Sequence, residues 1–189
     1  TSSGATGDSN ALLQELIEGD YAGEVLAPIV DPSAAYMAHS AGAGKKLKVV
    51  IGGALDSRYP PLELDVTVEK LGDGEYCLEL SGKPEHAGPS AVLKCGNYTI
   101  VCLSRSVQFI DRSPFFAHDI NPEDFDLVIV KSPHCEPRFF DDWAEQNFNI
   151  DAPGSTSANL KTLGHNICAR PLYPIDSDVN FTPSVETFQ

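Results

Sequence analysis

This chain has little with which to hold a metal. Its five histidines, His39, His86, His118, His134 and His165, form no H-x-x-x-H or H-x-H pair, and its five cysteines, Cys77, Cys95, Cys102, Cys135 and Cys168, include no C-x-x-C. A zinc ribbon and a helical zinc-protease signature are therefore excluded, and an odd cysteine count completes no disulfide framework. Reduced thiols are expected, with Cys77, Cys95 and Cys102 in the core, and no cofactor held by these residues alone. Cationic residues are scarce too: 13 Lys and Arg stand against 27 Asp and Glu, for a net charge of -14. Such a surface repels phosphate backbones and anionic bilayers, which excludes nucleic acid and membranes as expected partners. No apolar run approaches the ~20 residues of a membrane-spanning helix. The opening Thr-Ser-Ser-Gly is not a signal peptide. The cytoplasm is the favoured compartment, and secretion stays open because Asn97-Tyr98-Thr99 and Asn180-Phe181-Thr182 match the N-glycosylation pattern.

What is present suits one globular domain. The 189 residues are 42% apolar, enough for one substantial core. Asp8 or Ser9 can cap a helix from Asn10 to about Gly19, with Leu12, Leu13, Leu16 and Ile17 at helical spacing. Val25 to Val30 reads as a strand, Asp31-Pro32 opens a helix, and Lys46 to Ile51 reads as a strand, which together predict a β-α-β unit. The middle turns antiparallel. Leu62 to Leu71 alternates, Gly72-Asp73-Gly74 turns, Glu75 to Leu80 returns, and Ala91 to Leu103 folds over Gly96-Asn97 as a second hairpin. After Pro122 come a strand, a helix from Pro137 to Gln146 with Trp143 on its inner face, and a strand edge at Phe148-Asn149-Ile150. The expected fold is α/β, a mixed sheet with flanking helices and an antiparallel hairpin region in the middle. One domain is expected over residues 1–176, followed by an extended tail over 177–189.

Polar residues gather where the apolar strands end. Leu127-Val128-Ile129-Val130 runs into Lys131-Ser132-Pro133-His134-Cys135-Glu136-Pro137-Arg138, and open α/β sheets take ligands outside the carboxyl ends of their strands. Lys131 or Arg138 can hold a carboxylate, and His134 can exchange a proton because free imidazole titrates at about 6.5. Ser132 completes the cluster. On spacing alone, each is equally an ordinary strand-end residue. Gly52 and Gly53 allow close backbone approach and Asp56 can accept hydrogen bonds from a substrate or a second domain; a plain turn has the same spacing. Gly4 to Asp8 can offer N–H groups to an anion, but lack a Walker lysine and fit a capped loop as well. Asp151, at the break Ala152-Pro153-Gly154, is a further strand-end candidate. Cys135 and His134 make a poor nucleophile pair, since side chains adjacent in sequence seldom face each other.

These words stand in an order that resembles the C-terminal domain of the microcystinase C (MlrC) family of zinc metallopeptidases. Gly4-Ala5-Thr6-Gly7-Asp8 resembles its glycine-rich opening, Ile51-Gly52-Gly53 its Gly-Gly strand end, and Asp119-Ile120-Asn121-Pro122 its Gly-Ile-Asp-Pro turn. Asp151-Ala152-Pro153-Gly154 and Arg170-Pro171-Leu172-Tyr173-Pro174-Ile175-Asp176 follow in the same order. The resemblance implies a two-domain hydrolase whose zinc ligands lie in an N-terminal domain preceding Thr1, so that zinc belongs to the full-length enzyme. This half would complete the cleft for a peptide or amide substrate and be inactive alone. The N-terminal domain and the substrate are the implied partners, and self-association is left open. One word departs: the family shows Lys-Ser, two residues, then His-Phe-Arg, whereas Cys135, Glu136 and Pro137 occupy those places here. That departure leaves a second reading, a domain that keeps the fold and binds a partner or small molecule without catalysis.

Overall fold

The structure, a computed structural model, describes residues 4–132, 135–154, 156, 159–180 and 182–187. Among these the order is α1 (Ala11–Glu18), β1 (Val25–Val30), α2 (Pro32–Ala41), β2 (Lys46–Ile51), β3 (Leu62–Gly72), β4 (Glu75–Cys77) and β5 (Pro84–His86). Then follow β6 (Ser90–Cys95), β7 (Tyr98–Leu103), α3 (Ser113–Phe116), β8 (Leu127–Val128) and α4 (Pro137–Phe140). Six strands form one mixed sheet in the order β2-β3-β6-β7-β1-β8, in which β1 runs parallel to β7 and β8 and the other pairs are antiparallel. The α/β class, the mixed sheet and its antiparallel middle are as the sequence implies. The hairpin β6–β7 turns over Gly96-Asn97, with Gly96 at φ +57° in the first loop position, where a two-residue type II′ turn takes glycine.

The continuous apolar runs take the central positions. Every residue of β1 and β7 is buried, because both faces of that half of the sheet are covered. On one face lie α1, through Leu13, and α2, whose Ala34, Ala35 and Ala38 let the helix backbone sit close to the sheet. On the other, Phe109, Phe115, Phe139 and Phe140 pack over Leu26, Val30, Val101 and Leu103. Among the described residues no helix is long and apolar enough to cross a membrane.

Several local expectations are corrected. Helix α1 begins at Ala11 with Asn10 at its cap position and no side-chain cap bond, because the side chains of Asp8 and Asn10 bind the loop after β2 instead. Strand, helix and strand follow one another from β1 to β2, but β2 lies at the opposite edge of the sheet and runs antiparallel to its neighbour. This is not a parallel crossover; β7, formed later in the chain, takes the place beside β1. Glu75 to Leu80 does not return along β3: β6 takes Thr67–Gly72, the stretch of β3 nearest the turn, and β4 pairs with β5 in a separate small sheet. Cys77, at the end of β4, is consequently exposed, Cys95 is half-buried, and Cys102 alone of the three is fully buried. The helix after Pro137 ends at Phe140, and Phe148 and Ile150 form no strand but stand 70% and 57% exposed. Strand β8 ends the sheet, and no residue described beyond Phe140 is buried.

Candidate functional site

Buried polar groups collect where β1 ends. Asp31, 2% exposed, caps α2 by accepting Ala34 N–H at Oδ1 (3.0 Å), while its Oδ2 accepts Gly52 N–H (2.9 Å). The second bond closes the fold: β3 has no β6 partner before Thr67, so the β2–β3 hairpin projects past its neighbours and its turn comes back to β1. Gly52 and Gly53 make the turn at φ +74° and +68°. A Cβ on Gly52 would stand 2.6 Å from Asp8 O and 2.8 Å from Asn10 Nδ2, so glycine is required by space as well as by angle.

The segment before α1 fills the centre of this knot. Asn10 Nδ2 donates to Ile51 O (2.8 Å) and Pro60 O (3.0 Å). Asp8 is fully buried and accepts four hydrogen bonds: Leu55 N–H (2.8 Å) and Asp56 N–H (3.1 Å) at Oδ2, and the hydroxyls of Tyr59 (2.8 Å) and Thr6 at Oδ1. Burial pushes its carboxyl up, but donors from Thr6, Leu55, Tyr59 and Asp56 prevail and hold it below the usual carboxylate range. Burial, with Asp8 as neighbour, pushes the Tyr59 hydroxyl well above its ordinary value.

Lys131 reaches the same segment from the end of β8. The residue keeps some exposure, but its Nζ is taken inward to donate to Gly7 O (2.9 Å) and Ser9 O (2.6 Å). Burial pulls its pKa down to about 7, with Asp8 and then Cys102 opposing. A neutral amine keeps two N–H bonds, one for each carbonyl.

Of the candidates read from sequence, Asp8, Gly52, Gly53, Asp56 and Lys131 therefore meet in one network. Arg138 does not join them: it pairs with Glu136 (2.8 Å) and lies 4.7 Å over the Phe139 ring. Ser132 lies half-buried and hydrogen-bonds Cys135, and exposed Asp151 accepts from Asn159 Nδ2 (3.1 Å). His134 lies outside the described residues. The sequence marked Asp31 as a helix opener but not its second bond, and Asn10 and Tyr59 carried no signal, because their partners are remote in the chain. Asn97, read as a glycosylation candidate, turns its Nδ2 to Tyr21 O at 2.9 Å and to Gly23 O.

A second buried group lies at the far end of β3. His118 is 4% exposed, and a Cβ on Gly72 would meet its Cε1 at 2.7 Å and Ser90 Oγ at 2.8 Å. Burial, with Lys70 nearby, lowers the His118 pKa to about 4. None of this fits zinc. Among the described residues no three His, Cys, Asp or Glu side chains gather as a metal site needs, and His39, His86 and His165 are engaged singly by Ser90 O, Glu75 and Leu160 O.

Comparison with known proteins places this architecture. A family model described as the MlrC C-terminus matches residues 1–166. The crystal structure of a "putative metallopeptidase" from Mesorhizobium sp. BNC1 superposes with a TM-score of 0.76 at 26% identity, covering 94% of this chain and 36% of that one. This chain thus spans about a third of that relative's length. No curated protein matches it. Matched by the family model over most of its length, the chain belongs to the MlrC C-terminal family.

Proposed function

We propose that this domain is the C-terminal domain of a zinc-dependent peptide or amide hydrolase and completes a substrate cleft whose metal is held by an N-terminal domain. The observation that carries the reading is the likeness to the "putative metallopeptidase", of whose chain this fold covers only 36%. Zinc, bound to that other domain, would polarise the scissile carbonyl and activate water. The residues of this chain supply shape and charge. Asp8, Asp31, Gly52 and Lys131 fix the 52–61 loop and the end of β8; that loop, where Asp56 pairs with Arg58 (3.1 Å), and the polar residues Ser132, Arg138 and Asp151 would meet a substrate or the other domain.

A second reading rests on how fully Asp8 and Lys131 are already engaged within the domain. Asp8 already accepts four hydrogen bonds and Lys131 donates two within the domain. A domain whose polar centre is so occupied can serve purely as a binding module. Metal content and amidase activity, measured on the 189-residue chain and on the chain together with any coding sequence upstream of Thr1, separate the two. Zinc and turnover only in the longer protein support the hydrolase half; zinc or turnover in the shorter chain overturns it; neither in either form favours the binding module.

A further inference from the structure

The last quarter of the chain contributes no buried residue among those described. Between residues 141 and 187 no described residue is buried, yet large apolar side chains recur: Phe148 is 70% exposed, Ile150 57%, Ile167 99%, Tyr173 77% and Val185 88%. Local bonds hold its turns. Arg170 pairs with Asp176, Leu172 N–H donates to Asp176 Oδ2 (2.6 Å), and Thr162 Oγ1 donates to Asn159 O (2.8 Å). Such contacts shape a segment without anchoring it. Large exposed apolar patches on folded proteins mark interaction surfaces, and Phe148, Ile150, Ile167, Tyr173 and Val185 all stand exposed within this segment.

The relative from Mesorhizobium indicates which body. Its likeness extends over 94% of this chain, which leaves too few residues unmatched to omit this segment. An arm with no core of its own thus has a counterpart in a protein only 26% identical, whose polypeptide extends far beyond the matched 36%. Charge narrows the description. The arm, residues 144–187, carries five acidic residues, Glu145, Asp151, Asp176, Asp178 and Glu186, against the basic Lys161 and Arg170. Its covering surface must therefore offer apolar contacts bordered by cationic groups.

We propose that residues 144–187 are a docking arm, which buries Phe148, Ile150, Ile167, Tyr173 and Val185 against an apolar, basic-rimmed face of the second domain of an MlrC-type protein. The proposal rests on the two-domain reading above but not on its chemistry. Hydrogen–deuterium exchange tests it, comparing the 189-residue chain with the protein that also carries the second domain, in cis or as a complex of two chains. The arm should exchange at least tenfold more slowly when the second domain is present, while β1 and β7 stay protected in both. Ile167→Asp with Tyr173→Asp should abolish that protection and leave the body unchanged, since neither residue is buried in it. Three results would overturn the proposal: an arm equally protected in the monomeric short chain, protection that follows dimerisation of the short chain by light scattering, or fast exchange in both forms. A protected arm in a two-domain protein without amidase activity upholds the docking and removes only the hydrolase reading.

Discussion

Strands β1 and β7 are buried at every position, whereas β2 and β3 bury alternate side chains and turn Lys46, Lys48, Glu63 and Asp65 outward. One sheet thus has two environments. The parallel half lies between helices and a phenylalanine cluster, and a side chain there has packing partners whichever way it points. The antiparallel half has one wet face, where Lys48 and Glu63 pair at 2.7 Å in the open. The polar knot is built where the dry half ends, so its bonds form out of water and are costly to lose.

Matched truncations measure the contrast most directly. Leu26→Ala, in the dry half, should cost about 4 kcal/mol, and Leu64→Ala, in the one-faced half, about 2 kcal/mol, because the second site can relax toward solvent. Equal losses in urea unfolding would break the comparison. Asp31→Ala should follow at about 3 kcal/mol, since it removes a helix cap and leaves Gly52 N–H buried without an acceptor. A loss no greater than that of an exposed helix cap would show that the knot is solvated.

The third expectation is a pH dependence. Lys131 titrates at about 7 when folded and near 10.5 when unfolded, so between those values the unfolded chain binds the additional proton. The cost of burying the ammonium group is present in full below pH 7 and fades as pH rises toward 10. Relative to Lys131→Met, the parent should therefore gain stability from pH 7 to pH 9, visible as a converging or crossing pair of urea midpoints. A constant gap between the two proteins would mean that Nζ stays charged. The smallest effect belongs to the wet face: Lys48→Ala should leave the urea midpoint where it was, as exposed ion pairs contribute little.

How far sequence carries the fold depends on the distance between partners. Val25–Val30 and Tyr98–Leu103 were readable because a doubly buried strand needs a continuous apolar run, and Asp31-Pro32 and Gly96-Asn97 because caps and turns are local. The knot was not readable as a unit. Tyr59 meets Asp8 across 51 positions, and Lys131 meets Gly7 across 124. The strand partner of Glu75 to Leu80 was misjudged for a related reason: alternation shows that a segment can pair, but not that β6, from later in the chain, takes the Thr67–Gly72 stretch beside the turn. Beyond Phe140 the apolar pattern at Phe148 and Ile150 suggested a strand. Pattern reports that a side chain seeks burial, not whether this domain provides it.

Trp143 gives that boundary a use. It is the single tryptophan of the chain, it donates its indole N–H to Phe139 O (2.8 Å), and its ring lies 6.2 Å from that of Phe140. The residue thus stands on the last packed turn, with the dry core before it and the arm after it. All indole emission from this protein comes from that one position, so its colour and its quenching by iodide give a label-free gauge of whether the proposed arm is docked or free.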